Sequence, residues 1–401
     1  MRELRRRALL QSGAATATAA LAGCAGILGS ENPDGRWTVV SADSGRTSNA
    51  GTVPASAPTV RWQSPLASAT GRAIYAVDGQ AVAVTRAGLH ALRIADGTQE
   101  WTHRFNVTGG ATAVALAADT VALRRWFPGS DRPPRRVGVA LGDGAMRYAR
   151  PDEYAAAPLW VPTTAGLLGL TARGRLRRFD AAAGDWGAVM LDAGGEIWGT
   201  VADSERLYVP VDRDGSWTVE AVTLENGESA WSRRLPWAAP VRMVATGDRV
   251  VFTDVPDVNG QPGAIGLEPM TGEEVWRFAW DDESLVPWRA VATSEMLVLL
   301  ARPAQGQGTY RLAGIDLEDG TVNWRTDTSL QLPYAVDGER VVGTRVTDQL
   351  PAPGLVAHDI ADGSEVWRSD PATGVGPGIA VGSGLLVILA TADGPAIGRL
   401  A

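Results

Sequence analysis

The chain has 401 residues, 45% of them apolar and 20% charged, with 47 glycines; this is a turn-rich globular composition with ample material for a large core. The formal net charge is −8, and residues 1–23 hold four Arg and one Glu, so the remainder is three charges more negative still. That balance leaves no basic patch of nucleic-acid scale and excludes a nucleic-acid partner. A single cysteine, Cys24, excludes an intramolecular disulfide. All 37 basic residues are arginine; they are scattered, so their exclusive use reads as genome composition rather than as selection for bidentate anion binding.

The first element is a targeting segment. Arg5, Arg6 and Arg7 precede a short, mildly apolar Ala/Thr-rich stretch that ends in Leu21-Ala22-Gly23-Cys24. A positive start, a short apolar middle and small residues before a cut describe a signal peptide over residues 1–23, too short and too weakly apolar to span a membrane as a mature helix. The paired arginines resemble a twin-arginine signal. Leu-Ala-Gly-Cys resembles a bacterial or archaeal lipoprotein box, which implies that Cys24 is lipidated and becomes the new N-terminus; the alternative is an ordinary free cysteine in a tethering helix. Residues 24–58 then form a lipid-anchored tether and lead-in, rich in Gly, Ser, Asn and Pro over 25–36. The expected location is outside the cytoplasm, on the cell membrane.

From residue 59 onward one phrase recurs. A small residue is followed by an acid, a turn with Gly, and Trp four residues after the Gly. It runs from Ala91 through Asp96-Gly97 to Trp101, and from Ala221 through Asn226-Gly227 to Trp231. It returns from Gly266 to Trp276, Gly314 to Trp324 and Ala357 to Trp367. Two weaker copies lie between: Gly138 to Tyr148, and Phe179-Asp180 to Gly184 with Ala188 at the Trp position. Each interval holds four short apolar runs separated by turns. The first has Ala73–Val77, Gln80–Thr85, Leu89–Ile94 and Thr98–Phe105. Asp-Gly between alternating runs predicts hairpins, because such turns need positive φ. Four antiparallel strands repeated at this period predict β-propeller blades. At the C-terminus, Gly378–Val381, Leu385–Ala390 and Ala396–Leu400 lack a fourth strand, and Thr59–Pro65 with Trp62 is a fourth strand without the other three. Joining them predicts an all-β, eight-bladed propeller over 59–401 whose ring is closed by an N-terminal strand. Trp62, Trp101, Trp231, Trp276, Trp324 and Trp367 are then scaffold, each covering a neighbouring blade.

The phrase resembles the repeat of pyrroloquinoline-quinone-type, or quinoprotein-like, propellers. Together with the lipoprotein box it looks like BamB-type outer-membrane assembly lipoproteins. That resemblance implies a protein-binding scaffold. The quinoprotein dehydrogenases it also evokes use a disulfide of adjacent cysteines against the quinone and carboxylate and amide ligands to calcium; this chain has no cysteine after Cys24. No cofactor is expected on that ground.

Other chemistry is sparse. His90 and His358 fall within the third-strand repeat and His103 on a fourth strand, and no HxxxH or HExxH spacing exists for zinc. Asp212-Arg213-Asp214-Gly215 starts like a calcium loop but lacks the other ligands. Asp180, Glu268, Asp316 and Asp359 share one register, which argues for a structural bond to a turn. No catalytic or metal site is expected. Turns between strands one and two and between three and four are tight, whereas Phe127–Arg136, Asp254–Gly263, Arg302–Tyr310 and Thr347–Gly354 are long. These long connections emerge on the face of the interblade links, and function on β scaffolds concentrates on such loops. Trp160, Trp198 and Trp288 lie at entries to innermost strands on that face, and Trp237 and Tyr334 fall in the corresponding links, out of register by a few residues. They form either an aromatic rim that binds a peptide strand or a sugar, or rings that pack between blades. The reading is an exported, lipid-anchored scaffold for a protein or peptide partner at the envelope, without catalysis, as a monomer or within a complex. A quinoprotein-like oxidoreductase and a carbohydrate-binding propeller are the alternatives.

Overall fold

In the computed structural model, the described residues are 38–39 and 49–401 except 67–70, 78, 86, 106–109, 118, 127–133, 152–158, 164–165, 171–174, 181, 193–195, 198–199, 214–215, 236–241, 247, 257–261, 283, 305–307, 346–353, 370–373 and 392. Cys24 and the signal segment lie outside them. Among these residues every regular element is a strand, and no helix is long and apolar enough to cross a membrane.

The strands form eight sheets, each a four-stranded antiparallel meander at its centre. The first blade is Gly71–Val77, Gln80–Thr85, Gly88–Arg93 and Gln99–Arg104, in the order the sequence predicts. The innermost strands of the second and third blades touch, as do those of successive blades from the fourth to the eighth, and that of the eighth blade, Gly374–Gly382, touches that of the first. The eighth blade takes its outer strand, Val60–Pro65, from the N-terminal side, paired with Gly394–Leu400. Beyond that pair, Thr59 and Ala401 exchange both backbone hydrogen bonds, at 3.1 and 3.0 Å. The propeller is therefore eight-bladed and closed as the orphan Trp62 implies, with no blade left incomplete where its two chain ends meet.

The repeat phrase builds the joint between blades. Each turn Gly has positive φ, from 71° to 78° across the seven copies, and its N–H donates to the carbonyl four residues earlier, as Gly97 does to Arg93 at 2.8 Å. The residue before it accepts the N–H two positions on: Asp96 from Thr98, Asn226 from Glu228, Asp319 from Thr321. The Trp of the preceding blade lies over that Gly. A Cβ on Gly144 would stand 2.6 Å from Trp101, and one on Gly272 2.6 Å from Trp231. The indole N–H then donates to the carbonyl three residues before the same Gly, Trp276 to Leu317 and Trp101 to Leu141, at 2.8 and 2.6 Å. The small residue six before the Gly sits cross-strand from its own blade's aromatic, as in Gly314↔Trp324 and Ala357↔Trp367, which leaves room for the indole. Burying such a ring contributes about 2–3 kcal/mol.

In the third blade the sequence leaves the Trp position to Ala188. Met190 does the covering instead: it lies against Gly227 of the fourth blade, while Trp186 packs over Gly169 within its own blade. Sulfur-bearing, unbranched Met fills such a gap without a fixed ring geometry.

The lead-in contains structure that the sequence reading treats as tether. Thr38–Val39 pairs antiparallel with the first blade's innermost strand, and Asn49–Gly51 pairs parallel with the eighth's. Residues 52–58 then cross to the rim. The Val53 N–H donates to Asp337 Oδ2 at 2.6 Å, and the Pro54 carbonyl accepts the Trp367 indole N–H at 2.7 Å. Pro54 supplies the acceptor that a blade's own turn supplies elsewhere.

Candidate partner-binding rim

The two faces of the ring differ as the loop lengths imply. Strand one joins strand two through one to four residues, as between Gly382 and Gly384, Val77 and Gln80 or Ala202 and Arg206. Strand two to strand three is longer from Trp126 to Arg135, Pro256 to Pro262, Pro303 to Tyr310 and Arg345 to Leu355. Most residues of these long loops lie outside the described set, so the site is built from the strand ends that frame them.

Trp288 is on the innermost strand of the sixth blade, Leu285–Ala292, at a bulge between Pro287 and Arg289. Tyr334 occupies a bulge between Pro333 and Ala335, toward the tight-turn end of the seventh blade's innermost strand, Leu330–Val336, and not at its entry on the long-loop face as the sequence reading has it; the entry irregularity of that strand is between Leu330 and Leu332. Similar irregularities interrupt the innermost strands of the first, second and eighth blades. Bulges re-aim side chains and tighten twist, and they set the strand entries on the long-loop face apart from the regular ladder below. Sequence periodicity misses them because one extra residue looks like a slip in alternation.

The half-buried Trp288 ring packs against an apolar cluster drawn from two blades, with Val298, Leu300 and Leu312 on one side and Leu330, Val336 and Val341 on the other. Two arginines also approach the ring. The Arg302 guanidinium carbon lies 3.8 Å from the ring centroid and that of Arg289 5.2 Å, within cation–π range. A similar pair, Arg125 over Phe105 at 4.3 Å, lies at the second strand's end in the second blade; burial and the nearby Arg135 hold Arg125 below its ordinary pKa. The ring therefore packs between the sixth and seventh blades, as one of the two sequence readings has it, and also lies against two arginines. Trp160 pairs through its backbone with Gly169 on the third blade's innermost strand. Trp198 and Trp237 lie outside the described residues. The structure thus places Trp160, Trp288 and Tyr334 on innermost strands of separate blades.

The remaining polar residues are spent on architecture. His358, 2% exposed, donates from Nδ1 to the Gly363 carbonyl at 2.9 Å and takes the Thr328 hydroxyl on Nε2 at 2.8 Å. Burial holds both His358 and His90 below the ordinary imidazole pKa. His103 Nδ1 meets the Gly144 carbonyl of the next blade. The shared-register acids bind their own turns: Asp180 accepts from Ala182 and Ala183, Glu268 from Thr271, Asp316 from Glu318 and Asp359 from Ala361. Asp203 and Asp337, buried at the ends of innermost strands, use one oxygen on two turn N–H groups; the second goes to the Tyr208 hydroxyl and to Val53 N–H respectively.

Two surface clefts repeat one interblade seam on the tight-turn face. One is framed by Arg249, Glu295 and Glu318, the other by Arg178, Glu205 and Glu225. In each an Arg of one blade donates to a carbonyl of the next, Arg249 to Glu318 and Arg178 to Glu225, so both clefts are joints. Among the described residues no three His, Cys, Asp or Glu side chains converge as metal ligands. With one cysteine in the sequence, and with the buried carboxylates Asp203 and Asp337 already committed to turns, the described residues do not fit a calcium–quinone centre.

Residues 215–369 match the family model described as outer membrane protein assembly factor BamB, the stretch that contains the last four full phrases. Among solved structures, BamB from Moraxella catarrhalis superposes with a TM-score of 0.58 at 11% identity, covering 85% of this chain and 97% of that one. The computationally designed Ika8 protein gives 0.57 at 12% identity, covering 81% and 95%. The quinohemoprotein alcohol dehydrogenase ADHIIG from Pseudomonas putida HK5 gives 0.52 at 12%, covering 86% and 76%. No curated protein matches the chain in sequence. The match and the shared architecture bear out the resemblance: the protein is a β-propeller built of pyrroloquinoline-quinone-like repeats. At such identities the superpositions speak for fold alone.

Proposed function

We propose that this propeller is an exported, lipid-anchored scaffold that binds protein partners at the cell envelope through its long-loop face, without catalysis. The observation that carries the reading is the match of residues 215–369 to the BamB assembly-factor model. The Cys24 lipoprotein box is consistent with it, and so is a rim where an indole is presented beside two arginines, since Trp and Arg are the residues that dominate binding hot spots. BamB is an outer-membrane assembly factor by name; for this chain the corresponding role is binding envelope or exported proteins. An extended peptide segment is the occupant the rim suits best.

The test is cross-linking in intact cells, with photoreactive groups at Arg302 and at Glu318 on the opposite face. Capture of a defined exported protein at Arg302 but not at Glu318 is expected; equal capture at both contradicts the reading. The competing reading, an oxidoreductase, is favoured by the likeness to quinohemoprotein alcohol dehydrogenases. Reconstitution with quinone and calcium followed by a dye-linked alcohol oxidation assay decides it: turnover would replace the scaffold reading.

A further inference from the structure

We infer that the N-terminal segment enters and leaves the central channel through the tight-turn face, so that the anchored tether holds this face toward the membrane and presents the long-loop face to partners. The orientation rests on the lipid-anchor reading; the threading does not.

The argument is one of register. The first blade's innermost strand, Gly71–Val77, runs toward the tight turn that follows it. Thr38 pairs with Ala76 and Val39 with Tyr75, antiparallel. Moving from residue 38 to 39 therefore leads away from the tight-turn face, and Thr38 is the residue of the pair nearer that face. Asn49–Gly51 pairs with Ala380, Val381 and Gly382 in parallel, so it runs back toward the same face. It arrives there: the Thr52 N–H donates to the Gly382 carbonyl at the strand-one-to-two turn. Val53 then bonds to Asp337, at the corresponding turn of the seventh blade. Both passages through the channel thus open on one side, and the exposed inner edges of the first and eighth blades are covered by this chain's own backbone.

Tether length makes the exit face matter. Fourteen residue steps separate Cys24 from Thr38. Fully extended they reach about 50 Å, and as a Gly/Ser-rich coil their root-mean-square span is about 20 Å. Reaching the other face around the rim means crossing four strands, about 19 Å, and then descending a seven-residue strand, about 23 Å, before any side chain or loop is added. Only a nearly straight tether covers that path, so chain entropy keeps the tight-turn face at the membrane.

Two measurements separate the threading from the anchor. In the full chain carrying Cys24→Ser, the pair Thr38→Cys/Ala76→Cys is oxidised and mapped by mass spectrometry, with Thr38→Cys/Ala304→Cys as the long-loop control. A disulfide in the first pair and none in the second is expected; the reverse, or none in either, overturns the threading. For orientation, the lipidated chain is placed in vesicles containing nitroxide-headgroup lipid, with a thiol fluorophore on Ser294→Cys or Ala304→Cys, at opposite ends of the sixth blade. The Ser294 probe should be quenched at least twofold more than the Ala304 probe; equal or inverted quenching overturns the orientation. If the parent chain itself takes up fluorophore at Cys24, its thiol is free; the anchor, and the orientation with it, then fail, while the disulfide result still decides the threading.

Discussion

Gly79 and Gly97 lie in the same blade with nearly the same backbone, φ of 79° and 73°, but their surroundings differ. A Cβ on Gly79 would meet nothing within 4 Å, whereas one on Gly97 would stand 2.5 Å from the Trp62 ring. Gly79→Ala therefore costs only the left-handed backbone term, about 1 kcal/mol. Gly97→Ala adds displacement of a packed indole and should cost roughly 2–4 kcal/mol. Urea denaturation of the two variants separates conformational from packing need; equal midpoints would mean the indole yields freely. The buried imidazole of His358 offers a second residue-scale test. Its folded pKa lies below the unfolded one because burial disfavours the charge. The unfolded chain thus binds more protons in that window, so stability is complete above the ordinary imidazole pKa, about 6.5, and falls as pH drops below it. Melting temperature measured from pH 7.5 to 5 should decline, and His358→Gln, which cannot take the proton, should flatten part of that decline while lowering the plateau.

At the scale of elements, a turn and its latch can be taken apart at Asp337. Its Oδ1 holds the N–H groups of Glu339 and Arg340, and its Oδ2 holds Val53. The fifth and sixth blades build the same turn with Thr246 and Thr293, whose single hydroxyl accepts the equivalent pair of N–H groups. Asp337→Thr should keep the turn and release only the lead-in, for a loss of about 1–2 kcal/mol. Hydrogen exchange should then rise at residues 52–58 and stay unchanged at 340–345. The blade strands and turns were legible in the sequence because each rests on local chemistry: alternation, an Asx-type side chain before Gly, and an aromatic at fixed spacing. Thr38–Val39 and Asn49–Gly51 were not legible, since two or three residues have no period and exist as strands only because a sheet edge receives them. Met190 was hidden for a related reason: its role is defined by the Gly227 it covers in the next blade, not by its own phrase. The links between blades were legible as the place of Trp288 and Tyr334, but the bulges there, the position of Tyr334 toward the tight-turn end of its strand and the arginines over the Trp288 ring required three dimensions.

For the whole molecule, closure is the decisive step, because each blade lays a Trp, Tyr148 or Met190 over the next blade's turn and a ring alone has no unmatched end. Here the ring closes without a covalent turn. Thr59 and Ala401 stand hydrogen-bonded across the gap, the Trp62 indole bonds to Ile94 of the first blade, and Pro54 stands in for the turn carbonyl that Trp367 needs. If the repeats rather than the lead-in specify the fold, the gap can be sealed and the ring opened elsewhere. A permuted chain that starts at Gly71, joins Ala401 to Thr59 through a short Asp-Gly turn and ends at Leu66 retains every strand of the eight blades. Its new ends fall in the link between the eighth and first blades, on the long-loop face. The Asp-Gly turn restores both the positive-φ Gly beneath Trp367 and the carbonyl for its indole, while Thr38–Val39 and Asn49–Gly51 are gone from the channel. Sealing shortens the loop that folding must close and removes the ordering cost of the lead-in strands and residues 52–58. The expected outcome is a monomer with the parent's far-UV circular dichroism and a single urea transition within about 1 kcal/mol of the parent's stability. A variant of the same permutant with Asp-Ala in place of Asp-Gly should fall about 2 kcal/mol below it, by the same argument as at Gly97. Loss of β structure in the Asp-Gly permutant would mean instead that the two strand segments in the channel hold the inner edges of the ring together.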